Sequence, residues 1–169
     1  KIVFAGNIGE AQGLDLLIET AKHFKDRNDI KFYLVGDGRA RKRLENTAKK
    51  EKLNNVIFVG KVSVEEADRY IHFADCAYLS FKDNKIFNMT IPAKLQSYMA
   101  CGTPILAAAG GESRDIVIKN KCGYSCKRDA AEIADSIVRL RSDKTRIEKM
   151  RKNSRMCYQS NYRLIALID

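Results

Sequence analysis

Short apolar segments alternate with longer amphipathic segments along the whole chain. Six of the apolar segments are rich in branched residues and have the length of buried strands, namely residues 2–5, 30–35, 56–59, 76–79, 104–108 and 123–126. Strands apolar enough to be covered on both faces, each followed by a helical segment, are typical of parallel sheets. The pattern therefore predicts an α/β fold, a Rossmann-like doubly wound parallel sheet of about six strands with helices on both faces.

The amphipathic segments predict helices that each bury one side. Apolar residues recur at helical spacing in four groups: Leu14, Leu17, Ile18 and Ala21; Ala67, Tyr70, Ile71 and Ala74; Leu95, Tyr98 and Met99; and Ile133, Ile137, Val138 and Leu140. Two helix starts carry capping signatures, Ser63 with Glu66 and Asp129 with Glu132, in which the glutamate is expected to reach back. The basic segment after Ser142 either packs as a last helix or lies partly exposed.

The length and the absence of linkers predict one domain. The chain has 169 residues, 45% of them hydrophobic, which suits one sizeable core but not two. No repeat or Pro/Gly-rich linker interrupts residues 1–169. No segment approaches the 18 apolar residues of a spanning helix, and the first residues lack the apolar region of a signal peptide. We therefore expect a cytoplasmic protein. Because the chain begins directly in a strand, we also expect it to be part of a larger protein.

The composition favours an anionic ligand and disfavours a metal. The formal net charge is +10, which attracts nucleotides, nucleic acid or acidic lipid. Much of this excess lies at 39–52 and 139–155, where solvated helix faces are the simplest interpretation. Nucleic acid is disfavoured because aromatic residues do not interleave with the basic ones. Five scattered cysteines and two histidines fit neither a disulfide framework nor a zinc site, so we expect no metal and no cofactor.

Three predicted strands run directly into glycine, at Gly6, Gly36 and Gly60. Glycine there allows close approach of a ligand or of another backbone, although any one of them is explained by a tight turn. The glycines at 6, 9 and 13 do not have the G-x-G-x-x-G spacing, and no Walker motif occurs. A nicotinamide or ATP enzyme is therefore disfavoured. A glycine turn before a helix still suits a diphosphate.

A second candidate segment lies at residues 90–112. Pro92 is expected to open a helix that ends at Gly102, and Pro104 to start the next strand. The preceding amides and the ammonium group of Lys94 would then converge on one anion at the helix start. An ordinary surface lysine on a capped helix is the competing interpretation.

Several of these segments together resemble a known family. The blocks F-x-G-N-I-G-x-x-x-G-L, L-V-G-D-G-x-x-R, V-x-F-x-G-x-V and I-P-A-K-L-x-S-Y-M-A-x-G-x-P-I-L, from about residue 2 to residue 160, resemble the C-terminal domain of family 4 (group 1) glycosyltransferases of the GT-B fold. The nearest likeness is to bacterial enzymes of surface-polysaccharide assembly, such as capsule or O-antigen. The resemblance covers only the donor-binding half, so the N-terminal acceptor domain has no counterpart in these residues.

The resemblance implies a site for a nucleotide diphosphate sugar. Gly6 and Asn7 would face the diphosphate, with Lys94 as a further contact, and Lys61 and Val62 would lie along the base. The donor sugar would face a loop formed by Met89, Thr90, Ile91, Pro92 and Ala93.

The chain departs from the family at two places. Many members carry two glutamates separated by seven residues, and these positions are Met89 and Ser97 here. Ser97 can still hydrogen-bond a ribose, whereas Met89 cannot act as a carboxylate. The basic pair that usually grips the diphosphate is replaced by Asn7 and Gln12. We expect backbone amides and Lys94 to take over that role, and the alternative is weakened donor binding.

The implied function is retaining transfer of a hexose or N-acetylamino sugar, most simply from a UDP-sugar, to a glycan or lipid-linked acceptor. No catalytic residue stands out, so catalysis would rest on positioning and on stabilising the leaving diphosphate. We expect the domain alone to bind donor without turnover, and the full enzyme to contact the anionic inner face of the plasma membrane. The alternatives are half of a nucleotide-sugar epimerase, or a basic module binding nucleic acid or anionic membrane.

Overall fold

A computed structural model describes residues 1–82 and 88–163. The expected domain of residues 1–169 thus includes two segments, 83–87 and 164–169, that lie outside the described residues. The strands are β1 (Ile2–Ala5), β2 (Phe32–Val35), β3 (Val56–Gly60), β4 (Cys76–Ser80), β5 (Ile105–Ala108) and β6 (Gly123–Ser125). The helices are α1 (Asp15–Lys22), α2 (Arg41–Lys50), α3 (Val64–His72), α4 (Ala93–Ala100), α5 (Gly111–Lys119), α6 (Ala130–Ser142) and α7 (Lys144–Asn161).

All six predicted strands are present and form one parallel sheet. Their order is β3-β2-β1-β4-β5-β6, and every pairing is parallel. The predicted boundaries differ from the observed ones by one or two residues at every strand except β1. The largest difference is at β2, which begins at Phe32 because its register with β1 pairs Ile2 with Phe32. Ile30 is nevertheless buried in the core.

The sheet is covered on both faces, which confirms the doubly wound prediction. One cluster of buried residues joins α1, α2 and α6 to the sheet, and the other joins α3, α4 and α5 to it. Helix α7 contributes Met150 to the first cluster and Cys157 to the second, so the basic C-terminal segment packs as a last helix. Burial of this apolar surface provides the main drive for folding.

Three details of the predicted helices are corrected. Val138 is 47% exposed, because it lies about 100° around α6 from the buried Ile137. Pro92 is the residue before α4 rather than its first residue, with an extended ψ of 141°. Glu132 accepts a hydrogen bond from the amide of Lys127 instead of from the cap residue Asp129, whose own side chain caps α6 as predicted.

The glycine turns after β1 and β2 pack directly against each other. Gly36 has a φ of +126°, and a Cβ on it would lie 2.0 Å from the carbonyl oxygen of Gly6. The amide of Gly6 donates to the carbonyl of Val35 at 2.9 Å, and that of Ile8 donates to the carbonyl of Asp37 at 2.7 Å. Gly36 is therefore required for close packing between two backbones.

Candidate functional site

The strand order places a switch point between β1 and β4. From β1 the chain proceeds to β2 and β3 on one side, then returns to β4 and continues to β6 on the other. The connecting segments that leave the carboxyl ends of β1 and β4 diverge, which opens a crevice where ligands of such sheets bind. Gly6 follows β1 and Phe81 follows β4, so both predicted loops begin at this crevice.

Helix α4 is fixed to the crevice by a buried tyrosine. The hydroxyl of Tyr98 accepts a hydrogen bond from the amide of Ala5 at 3.1 Å and lies 3.3 Å from the carbonyl oxygen of Tyr78. Burial raises the pKa of this hydroxyl far above its usual range. Tyr98 thus ties α4 to the end of β1 and to the middle of β4. Lys94 lies four residues earlier, on the same face of the helix, and is therefore directed at the same crevice.

The ammonium group of Lys94 is buried and lacks a partner. Its Nζ lies 3.9 Å from the centroid of the Phe4 ring and 5.6 Å from that of Phe81. Within residues 1–82 and 88–163, no oxygen accepts a hydrogen bond from it. Burial lowers the pKa of Lys94 to about 7. A cation held in this way is costly unless an anion reaches it.

Lys94 and Gly6 come together, as the diphosphate prediction requires. A Cβ on Gly6 would lie 3.4 Å from Nζ of Lys94, and Gly6 is exposed with a φ of +135°. The helix start beside them adds positive potential, because Pro92 offers no capping side chain and the first turn of α4 holds no acidic residue. These features create a small cationic corner that is open to solvent at Gly6.

The first loop itself offers fewer free amides than expected. The amides of Gly6 and Ile8 are bound within the protein, and that of Gly9 donates to the side chain of Gln12 at 3.1 Å. Asn7 is exposed beside them. Gln12, at a position where the family carries a basic residue, thus closes the loop. The positive charge in this corner comes instead from α4.

The remaining predicted site residues lie after β3 or in and before α4. Lys61 is exposed and Val62 half-buried directly after β3, which is the edge strand. Ser97 is exposed, and its hydroxyl donates to the carbonyl of Ala93 at 3.3 Å. Before α4, Met89 is 79% exposed and Ile91 is 38% exposed; Thr90 and Ala93 are exposed and Pro92 is half-buried. Among the described residues, no hydrogen bond or ring contact joins Lys61 or Val62 to Lys94.

An arginine that the sequence analysis did not single out organises the neighbouring strand ends. Arg128, in the loop between β6 and α6, donates to the hydroxyl of Ser80 at 3.1 Å, to the carbonyl of Ala108 at 3.3 Å and to the carbonyl of Phe81. Its guanidinium also lies beside Gly13, where an added Cβ would be 2.7 Å from it. Only the folded chain reveals this role, because 48 residues separate Arg128 from Ser80.

The described residues hold no group of three or more His, Cys, Asp and Glu side chains arranged for a metal ion. The five cysteines are free thiols. Within the same residues, none of the helices is both long enough and apolar enough to cross a membrane.

Two curated relatives are glycosyltransferases. The chain is 34% identical over 101 residues to WcaI of Escherichia coli (strain K12), a glycosyl transferase to which a role in colanic acid biosynthesis is ascribed; the match covers 60% of this chain and 24% of WcaI. It is 25% identical over 157 residues to a 2-deoxystreptamine N-acetyl-D-glucosaminyltransferase of Niallia circulans, covering 91% of this chain and 39% of that enzyme. The chain thus spans well under half the length of these relatives.

Solved structures share the fold. The C-terminal domain of the group 1 glycosyl transferase LpcC from Francisella tularensis superposes with a TM-score of 0.77 at 24% identity, covering 96% of this chain and 86% of that one. Anabaena HepE, crystallised with UDP, superposes with a TM-score of 0.84 at 17% identity, covering 98% of this chain and 45% of HepE. The model of the family described as "Glycosyl transferases group 1" matches residues 1–156. This match covers nearly the whole chain. The chain therefore belongs to the group 1 glycosyl transferase family.

Proposed function

We propose that this chain is the donor-binding domain of a retaining glycosyltransferase, and that it binds a nucleotide diphosphate sugar at the corner formed by Gly6 and the start of α4. The observation that carries the proposal is the buried ammonium of Lys94, which has no acceptor among the described residues. A diphosphate is the complementary ligand, because it brings negative charge and several acceptor oxygens to one helix start.

The geometry also fits the absence of the family's basic pair. Asn7 and Gln12 bring no charge to the first loop, and Gln12 is engaged with the amide of Gly9. Lys94 supplies a cation to the same place from α4, at 3.4 Å from the position of a Cβ on Gly6. A diphosphate over Gly6 would draw this ammonium off the Phe4 ring, which requires only rotation of the lysine side chain. Lys94 thus replaces the missing pair.

The other parts of the donor follow from the same placement. The base would lie towards Lys61 and Val62 beyond β3, the ribose near Ser97, and the sugar against the segment from Met89 to Ala93. UDP is the favoured nucleotide because HepE, which shares the fold, was crystallised with it. The acceptor, a glycan or a lipid-linked glycan of surface-polysaccharide assembly, would be held largely by an N-terminal domain.

Catalysis in the full enzyme would rest on stabilising charge. When the bond between the sugar and the diphosphate breaks, negative charge grows on the leaving phosphate oxygen, where a protonated Lys94 and the start of α4 can stabilise it. No side chain of the described residues in this corner is a carboxylate or an imidazole, so we assign no base or nucleophile here. We expect this domain alone to bind donor without transferring sugar.

The basic surface of α7 bears on where the enzyme is located in the cell. Lys144, Arg146, Lys149, Lys152 and Arg155 are all exposed on it. Such a surface attracts the anionic lipid of a cytoplasmic leaflet, where a lipid-linked acceptor would be found. We propose peripheral contact of the cytoplasmic enzyme with that surface.

The direct test is calorimetric titration of the chain with UDP, GDP and ADP, and with UDP-glucose and UDP-N-acetylglucosamine. We expect one nucleotide to be preferred and to bind in the absence of added metal. Gly6→Val should abolish the binding, because a side chain there meets Lys94 and the backbone φ of +135° disfavours any Cβ. A matched control is Gly102→Val, because Gly102 also has a positive φ, of +65°, and a Cβ on it would meet the side chain of Arg155 at 3.2 Å, beyond the opposite end of α4. Absence of binding by every nucleotide, with the fold intact, would refute the donor site.

A further inference from the structure

A second cationic hollow lies on the same edge of the sheet, beyond the ends of β5 and β6. Its volume is about 560 Å³, and Arg114, Lys127 and Arg128 line it together with one acidic residue, Glu132. Phe81 forms its wall on the side of the donor corner. Neither the sequence analysis nor the donor proposal assigns a role to this hollow.

The positive charges of the hollow are only partly compensated. Glu132 is occupied by Lys127, whose ammonium lies 3.2 Å from one carboxylate oxygen while its amide donates to the other at 3.2 Å. Arg128 is bound by a hydroxyl and two carbonyls, which are neutral. Arg114 is exposed, and none of the hydrogen bonds or ion pairs found among residues 1–82 and 88–163 involves it. Two guanidinium groups therefore face one space without a carboxylate of their own.

The arrangement distinguishes this hollow from a solvated basic surface. Arg128 is immobilised by three acceptors on the ends of β4 and β5, so its guanidinium loses little freedom when a ligand binds. Arg114 projects from the first turn and a half of α5, whose start at Gly110 also lines the hollow. Planar guanidinium groups that converge on one space suit a phosphate or a carboxylate, which they can bind through paired hydrogen bonds.

The hollow adjoins the donor corner but is separate from it. Phe81 lines the hollow, and its ring centroid is 5.6 Å from Nζ of Lys94, whereas neither Lys94 nor Gly6 lines the hollow. Strands in a sheet are spaced about 4.8 Å apart, so the ends of β5 and β6 lie roughly 10–14 Å from that of β1. A diphosphate bound at Gly6 cannot fill both places, so under the proposed function the hollow is left for the molecule that receives the sugar.

We propose that the hollow lined by Arg114, Lys127 and Arg128 binds an oxyanion of the acceptor, of which a phosphate is the best fit. The assignment to the acceptor rests on the proposed function, whereas the binding of an oxyanion does not. On this view the donor domain itself helps to select acceptors that carry a phosphate close to the hydroxyl group that is glycosylated.

The test is NMR titration of the ¹⁵N-labelled chain with methyl phosphate at low salt, with and without saturating UDP-glucose. We expect the amides of Gly110, Lys127 and Arg128 to shift most. Arg114→Gln should weaken methyl phosphate binding at least fivefold and leave UDP-glucose affinity within twofold. Arg139→Gln is the matched control, because it removes the same charge from an exposed arginine of α6 outside the hollow. If both variants lose the same affinity for methyl phosphate, the effect is one of net charge and the proposed oxyanion site is refuted.

The two ligands separate the two proposals. If methyl phosphate binds the UDP-glucose complex with unchanged affinity, the acceptor assignment is supported. If UDP-glucose displaces it from Gly110 and Arg128, the hollow belongs to the donor and the acceptor assignment is wrong. If methyl phosphate shifts the hollow while no nucleotide binds, the oxyanion site stands and the donor proposal fails.

Discussion

Lys94 and Arg128 are two cations at neighbouring places on one edge of the sheet, and their surroundings differ sharply. The guanidinium of Arg128 is bound by oxygens of Ser80, Phe81 and Ala108, so it completes the fold. The ammonium of Lys94 rests on the Phe4 ring with no acceptor among the described residues. Proteins seldom leave a buried cation unpaired, because the cost of desolvation is not recovered. The difference indicates that Arg128 has a structural role, whereas Lys94 is available to bind a ligand.

The largest expected effect is on ligand binding at Lys94. Lys94→Met keeps the stem of the side chain and removes the charge. We expect the affinity for the preferred nucleotide sugar to fall about 10- to 100-fold, because a hydrogen bond to a charged group contributes about 1.5–3 kcal/mol. Titration calorimetry measures this change, with the exposed Lys152→Met as the control. Unchanged affinity would mean that Lys94 is only a structural residue.

The same variant should fold more stably than the wild type. A lysine whose pKa falls to about 7 on folding carries its full penalty below pH 7, and the penalty disappears as the pH rises from 7 to 10.5. The gain in stability of Lys94→Met is therefore expected to be greatest at pH 6 and to vanish near pH 10.5. Denaturant unfolding at several pH values measures this gain in stability. The same experiment shows whether weaker binding by the variant comes from misfolding.

Arg128→Met should have the opposite signature. It removes the hydrogen bonds that the guanidinium donates to Ser80, Phe81 and Ala108, and we expect the free energy of unfolding to fall by about 1–3 kcal/mol. Thermal unfolding and denaturant titration test this expectation. Arg114→Gln, which breaks no hydrogen bond found in the described residues, should change stability by less than about 0.5 kcal/mol. A stable Arg128→Met protein would remove the contrast between the two cations.

Binding should also depend on pH through Lys94. A diphosphate favours the ammonium form, so binding above pH 7 must take up a proton that the free protein lacks. We expect the dissociation constant of UDP-glucose to rise by up to about tenfold per pH unit above pH 7. Calorimetry in buffers of different ionisation enthalpy at pH 8 detects the proton directly. Lys94→Met should abolish the uptake, and a flat profile in the wild type would show that the ammonium never loses its proton.

The smallest effect is expected at Ser97. Its hydroxyl is exposed and donates to the carbonyl of Ala93, so it can exchange that bond for a ribose hydroxyl at little net gain. We expect Ser97→Ala to weaken UDP-glucose binding no more than about threefold, or about 0.7 kcal/mol. A tenfold loss of UDP-glucose affinity, measured by the same titration, would mean that Ser97 takes over the role of the glutamate that many family members carry at this position.

Much of the fold follows from local pattern. The six strands are short apolar segments, and their alternation with amphipathic helices requires a parallel sheet covered on both faces. The caps at Ser63 and Asp129 were also predictable, because a single side chain reaches amides two or three residues away. Val138 was placed wrongly because periodicity does not define the width of a buried stripe.

The sequence alone thus determined the fold class, the strand positions, the family and the value of Gly6 and Lys94 as candidates. Tertiary structure decided that Gly36 is needed for close packing of the first two loops and not for contact with a ligand. It also decided that the side chain of Gln12 accepts a hydrogen bond from the amide of Gly9 and closes the first loop. It also decided that Lys94 lacks a partner and that Arg128 and Arg114 share one hollow. The physical reason is distance along the chain. Spacing and propensity act over a few residues, whereas burial and charge compensation depend on groups brought together from six strands.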